Sequence, residues 1–115
     1  MIEPKKYKFD KGVPAETMIK SGFRLRGIHF FYRATLYEYD NIKQPYVEMN
    51  IWIENGTHMT IEVFCNTGIY IPFYNPDMRH NNLVYEKVVK NYNNIMDKLC
   101  KKKILKHVRG KHGED

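Results

Sequence analysis

The densest chemical feature of the sequence is a run of cations. Lys98, Lys101, Lys102, Lys103, Lys106, Arg109 and Lys111 crowd the C-terminal end, with His107 and His112 among them. One or two cations are enough to complement the negative end of a helix, each contributing ~0.3–1 kcal/mol. Further lysines repel one another, and only water or an anion relieves that repulsion. The run therefore has two readings. One is a solvated basic tail from about residue 107. The other is a phosphate-contacting end that uses Lys98, Lys101, Lys102, Lys106 and Arg109.

A second basic pair lies in Phe23-Arg24-Leu25-Arg26-Gly27. Alternate strand positions point the same way, so Arg24 and Arg26 can form a fork for phosphate or carboxylate. The plainer alternative is a solvated strand edge. The third candidate is aromatic. Trp52 and Phe64 alternate with Glu48, Asn50, Thr60 and Glu62 on a strand face that carries few aliphatics. Arg33, Tyr37 and Tyr70 join this face if the register allows. Exposed aromatics on a sheet stack bases at ~1–3 kcal/mol each, and they pack equally well against a second subunit. Glu48 and Glu62 repel phosphate, so Trp52 and Phe64 are expected at a protein contact, including one between copies of the chain.

Signals for catalysis are thin. His29 with Glu38 or Glu62, and Arg79-His80 beside Asp77, contain acid–base groups. No P-loop, dinucleotide fingerprint or nucleophile elbow accompanies them. Cys65, Cys100, His107 and His112 lack the closely spaced cysteine pair that anchors zinc. Binding is expected rather than catalysis, with no cofactor and no metal.

The elements that must position these residues follow from periodicity. Val13 to Lys20 reads as a short helix with Pro14 in its first turn, ended by Ser21-Gly22. Phe23 to about Tyr39 reads as one long strand. Tyr46–Glu54 and Met59–Asn66 alternate with period two, as half-buried strands do. Asn55-Gly56 suggests a two-residue turn, but that would set Trp52 beside Met59 and mix apolar with polar on both faces. A three-residue loop, Glu54-Asn55-Gly56, keeps like with like and pairs Ile51 with Met59. Ile69–Tyr74 reads as an edge strand, since Pro72 cannot donate to a ladder. From Leu83 to Lys106, Val84, Val88, Tyr92, Ile95, Met96 and Leu99 recur at helical spacing, with Asn81 or Asn82 as the cap. The first dozen residues read as an arm or a leading edge strand.

These elements make a two-layer α+β domain over residues 1–115. An antiparallel sheet of three to five strands follows a short N-terminal helix and is covered on one face by a long, amphipathic C-terminal one. The order of elements resembles that of the double-stranded-RNA-binding domain. That family carries lysines at the start of its last helix. Here the start is Asn81-Asn82-Leu83-Val84-Tyr85-Glu86 and the lysines lie at the other end, so the likeness is one of topology.

Composition fits this picture. The 115 residues suffice for one domain, 43% are hydrophobic, and aromatics reach 14%. The net charge is +6, which attracts nucleic acid, nucleotides or acidic proteins. No apolar run approaches the ~20 residues of a membrane span, and no secretion signal is evident, so a cytoplasmic setting is expected. The expected function is non-enzymatic binding of an anionic ligand, nucleic acid or nucleotide, by a homo-oligomer. The alternatives are a bacterial or phage accessory or inhibitor protein, for example one that opposes host defence, with an acidic protein partner, and, third, a small nuclease.

Overall fold

The computed structural model describes residues 2–39 and 44–108. In chain order the elements are β1 (Tyr7–Phe9), α1 (Ala15–Lys20), β2 (Arg24–Arg26), β3 (His29–Glu38), β4 (Pro45–Glu54), β5 (His58–Cys65), β6 (Gly68–Ile69), α2 (Ile71–Tyr74), a 3-10 turn at Pro76–Met78, α3 (Leu83–Lys101) and β7 (Leu105–His107). Strands β2 to β6 form one antiparallel sheet in sequence order, and β1 and β7 form a separate two-stranded ribbon. The fold is α+β, as the periodicities require. Among the described residues no helix is long and apolar enough to cross a membrane.

Alternation along β4 divides the sheet into two faces. Val47, Met49, Ile51 and Ile53 are fully buried, while Glu48, Asn50 and Trp52 point the other way. The buried row continues into Val63 of β5 and Leu36 of β3. Over it lie Tyr85, Val88, Val89, Tyr92, Met96 and Leu99, one stripe of α3. Met18 of α1, Phe23, and Tyr7, Ile104 and Leu105 of the ribbon region complete this core. Burial of such side chains stabilises the domain by roughly 1.5–3 kcal/mol each.

Five local expectations need correction. The long strand from Phe23 is two strands, because the chain reverses at Gly27, whose φ is 62°, and pairs Leu25 with Phe30. Ile28 is in phase with Phe30 and Tyr32, as on a single strand, yet it is 64% exposed in the turn. In the β4–β5 hairpin Ile53 faces Met59 and Ile51 faces Ile61. Like still faces like, but the register lies two residues from the expected one. Asn55 and Gly56 both have positive φ (52° and 69°), as the central pair of a type I′ turn does. Thr57 is the additional residue that restores parity. The edge strand expected through Tyr74 is only Gly68–Ile69, and Pro72 lies in the first turn of the short helix α2, where a missing N–H costs nothing. The Tyr74 hydroxyl accepts a hydrogen bond from the Val63 amide at 2.9 Å, filling the place of a strand partner.

The remaining two corrections concern the last helix and the tail. Helix α3 stops at Lys101 rather than Lys106, and Lys103 turns the chain at φ 63°. Ile104 and Leu105 then enter the core and β7 pairs with β1, Tyr7 opposite His107. His107 and Val108 belong to the ribbon rather than to a tail, Val108 donating to the Lys6 carbonyl at 2.9 Å, and the rest of the expected tail, 109–115, lies outside the described residues.

Candidate functional site: the open face of the sheet

The second face of the sheet has no layer over it among the described residues. Its residues follow from register. Phe31 stands opposite both Arg24 and Trp52, Arg33 opposite Asn50, and Thr35 opposite Glu48. Phe64 stands opposite Glu48, and Thr60 opposite Trp52. The Phe31 and Trp52 rings are 4.5 Å apart, tilted by 49°. The Arg26 guanidinium sits 5.2 Å from the Phe31 centroid, and that of Arg33 5.2 Å from the Phe64 centroid. Cation–ring stacking of this kind contributes ~0.5–1 kcal/mol at exposed sites, and it holds each guanidinium flat with its edges free to donate.

A recess of about 380 Å³ lies between these groups, walled by Gly22, Arg24, Arg26, Phe31, Arg33 and Glu48. Three guanidinium groups line it against one carboxylate, and Glu48 is already occupied by Arg33 at 3.6 Å. Arg24 and Arg26 form no ion pair among the described residues and are exposed. Asn50, opposite Arg33, has its Oδ1 buried without a hydrogen-bond partner among the described residues. The face can therefore hold a negative group on Arg24 and Arg26 and a flat ring against Phe31 and Trp52.

Sequence reasoning named Arg24 and Arg26 as ligand contacts and Trp52 and Phe64 as an interface, and the fold puts all four on one surface. Arg33 joins them. Tyr37 and Tyr70 do not. A bulge in β3 turns Tyr37 to the buried face opposite Val47, and Tyr70 is itself buried. Asn91 of α3 donates to the Leu36 carbonyl at this bulge, 2.7 Å away. Phe31 is the residue the sequence did not single out. Its signal was present in the shared alternation with His29 and Arg33, and it became meaningful only once the turn at Gly27 brought Arg24 and Arg26 back beside it.

The lysines lie on the other layer. Lys98 and Lys101 are in the last turn of α3, Lys102 caps it, and Lys106 is in β7, 3.7 Å from Asp10. Arg109 lies outside the described residues. This end also carries its own anion. Asp97 accepts from the Tyr7 hydroxyl at 2.9 Å and lies 3.3 Å from both Lys5 Nζ and His107 Nε2. Burial would raise the Asp97 carboxyl, but hydrogen bonds from Tyr7 and Lys5 and the charges of Lys5 and His107 outweigh it and hold the group below its usual range. Burial and the bond to Asp97 push the Tyr7 hydroxyl well up. The lysine end is in part an internal electrostatic clasp on the N-terminal arm. Among the described residues no group of three or more His, Cys, Asp or Glu is placed to hold a metal ion.

A solved structure of a DUF1831 family protein from Lactobacillus plantarum is similar to this one, with a TM-score of 0.70 over 94% of each chain and 14% sequence identity. At that identity the likeness is one of fold. No protein-family model matches the chain, and no curated protein matches it.

Proposed function

We propose that the protein binds, without catalysis, an anionic ligand that carries a planar ring: a nucleotide unit, free or within a single strand. The carrying observation is the Phe31–Trp52 ring pair flanked by the Arg26 and Arg33 guanidinium groups on an uncovered sheet face. Aromatics supply the stacking surface for a base and arginines the fork for phosphate. The recess volume falls in the ~300–1,000 Å³ range of small-molecule sites. The lysine end, on the opposite layer, serves as a source of long-range attraction in this reading.

Trp52 is the chain's one tryptophan, so its fluorescence reports on the site directly. Titration with a nucleoside monophosphate and with a short single-stranded oligonucleotide should quench it. Arg24→Ala with Arg26→Ala should weaken binding at least about tenfold, since each charge-assisted hydrogen bond is worth ~1.5–3 kcal/mol. Unchanged fluorescence with both ligands at millimolar concentration would refute the reading.

One observation favours a second use of the same face. Ile69, opposite Phe64, is 67% exposed and extends the apolar part of the surface, which suits a contact between copies of the chain. In that case the native mass exceeds 13.8 kDa and Trp52→Glu lowers it. A monomer at all micromolar concentrations excludes this use.

A further inference from the structure

A second cavity lies on the opposite side of the molecule, under the N-terminal arm. It measures about 500 Å³ and is bounded by Ile61, Phe73, Tyr92 and Pro76, with residues 3–7 of the arm as one wall. The arm is fixed in place. The Tyr85 hydroxyl donates to the Ile2 carbonyl at 2.9 Å, the Lys5 amide donates to Asn93 at 3.0 Å, and the Lys5 side chain meets Asp97. The Phe73 and Tyr92 rings meet edge to face at 4.9 Å. The walls are mostly apolar and held from several elements at once.

Arg79 is the exception in this lining. It is only 7% exposed, a buried charged side chain. Its Nε donates to the Pro72 carbonyl at 2.8 Å and its Nη2 to the Phe73 carbonyl at 2.9 Å, which satisfies two backbone groups of α2. Its guanidinium lies 5.0 Å from the Tyr85 ring centroid. Among the described residues no carboxylate pairs with it, and Nη1 makes no hydrogen bond. Two of five N–H donors are therefore used and the positive charge is left without a counter-ion. The unbonded edge of the guanidinium is open to the cavity, where water or an anion can reach it. Lys5 and Lys6 stand at the cavity with Glu3, and Lys5 is paired with Asp97, so the opening has no net charge until Arg79 is counted.

We infer that this cavity is a binding site for a small organic carboxylate with an apolar body, the carboxylate meeting the free edge of the Arg79 guanidinium and the body lying against Phe73, Tyr92 and Ile61. The apolar walls select against inorganic anions, which would lose hydration without gaining contact. The unpaired guanidinium selects against neutral molecules of the same shape. This site is independent of the arginine face of the sheet, and either can fail without the other.

Benzoate is the probe, with benzamide as its neutral twin and phosphate as the anion without a body. Amide chemical shifts are followed in the full chain. Benzoate should shift the signals of Phe73, Arg79 and Tyr92, with benzamide and phosphate at least about tenfold weaker, the loss expected for one charge-assisted contact. Arg79→Gln should abolish the preference for benzoate, but it also removes the bonds to Pro72 and Phe73 and can unfold α2. Val108→Glu is the second variant, because Val108 lines the cavity, is half-buried, and keeps its backbone bond to Lys6 whatever its side chain. It should keep the wild-type spectrum elsewhere and weaken benzoate by about tenfold or more. Equal binding of benzoate and benzamide, no shift at these residues at millimolar benzoate, or unchanged affinity in Val108→Glu would each overturn the assignment.

Discussion

Tyr70 carries a hydroxyl that the fold buries without a hydrogen-bond partner among the described residues. Leaving such a group unsatisfied costs ~1–3 kcal/mol, so Tyr70→Phe should stabilise the domain by about 1 kcal/mol in urea unfolding. Burial also pushes the Tyr70 pKa up to about 12, helped by neighbouring Tyr46 and Cys65. The sign follows from proton counting. Between the ordinary value of 10.0 and about 12, the unfolded chain has released a proton that the native state keeps. Stability is therefore complete below pH ~10 and falls as pH rises through this window, by at most about 1.4 kcal/mol per pH unit for one tyrosine. Tyr7, Tyr32, Tyr85 and Tyr92 are raised as well, with burial the largest cause in each, so alkaline unfolding should be steep and somewhat shallower in Tyr70→Phe. A pH series of melting temperatures for both proteins checks this; parallel curves would contradict it. Gly56 offers a backbone counterpart. A β-branched side chain at φ 69° is strained, so Gly56→Val should cost roughly 1–2 kcal/mol, and Asn55→Ala less, because Asn and Ala share the backbone N–H that donates to His29.

Helix α3 begins where Asn82 Oδ1 accepts from the Tyr85 amide at 3.0 Å. Asn82→Ala should therefore cost about 1 kcal/mol, read as a shift of the urea midpoint at constant slope. That cap, the stripe from Val88 to Leu99 and the buried row of β4 were legible in the sequence, because helix and strand periods differ and Asn has one obvious use before such a stripe. The open face was legible only in part. Trp52 and Phe64 follow from alternation within one hairpin, but their meeting with Arg24, Arg26 and Phe31 depends on a reversal at Gly27 that Ile28 masked. The end of α3 was misread for a related reason. Ile104 and Leu105 stand five and six residues past Leu99, off the α3 stripe, and only the partner strand Tyr7–Phe9, far away in sequence, decides where they are buried instead. Arg79 was legible only as part of an acid–base loop with Asp77 and His80, and its burial carried no signal, since an arginine in a polar loop is ordinarily solvated.

At the scale of the whole molecule the cations divide between two layers, and paired variants separate them. Lys98, Lys101, Lys102 and Lys106 changed together to Ala should leave α3 helical, since Ala is the better helix former. If ligand sits on the sheet face, this variant should retain most of its affinity at moderate salt and lose only part of the salt dependence, while Arg24→Ala with Arg26→Ala loses affinity at every salt concentration. A salt titration of both variants against one oligonucleotide decides the matter; a lysine variant that no longer binds would move the site to the other layer. The ribbon of β1 and β7 carries a different consequence. Ninety residues of chain separate Tyr7 from Asp97, its hydrogen-bond partner, and the strands of the ribbon are as remote. Contacts between such distant segments form slowly, because a long loop must close before they bring any gain. A circular permutant makes the same contacts local. A short turn joining Val108 to Lys6 would convert the ribbon into a hairpin, with the chain opened instead at Asn55-Gly56. Such a protein gives up residues 1–5 of the arm but should fold faster than the natural order while pairing the same ribbon strands, and its two new ends would sit at the β4–β5 hairpin tip, beside His29.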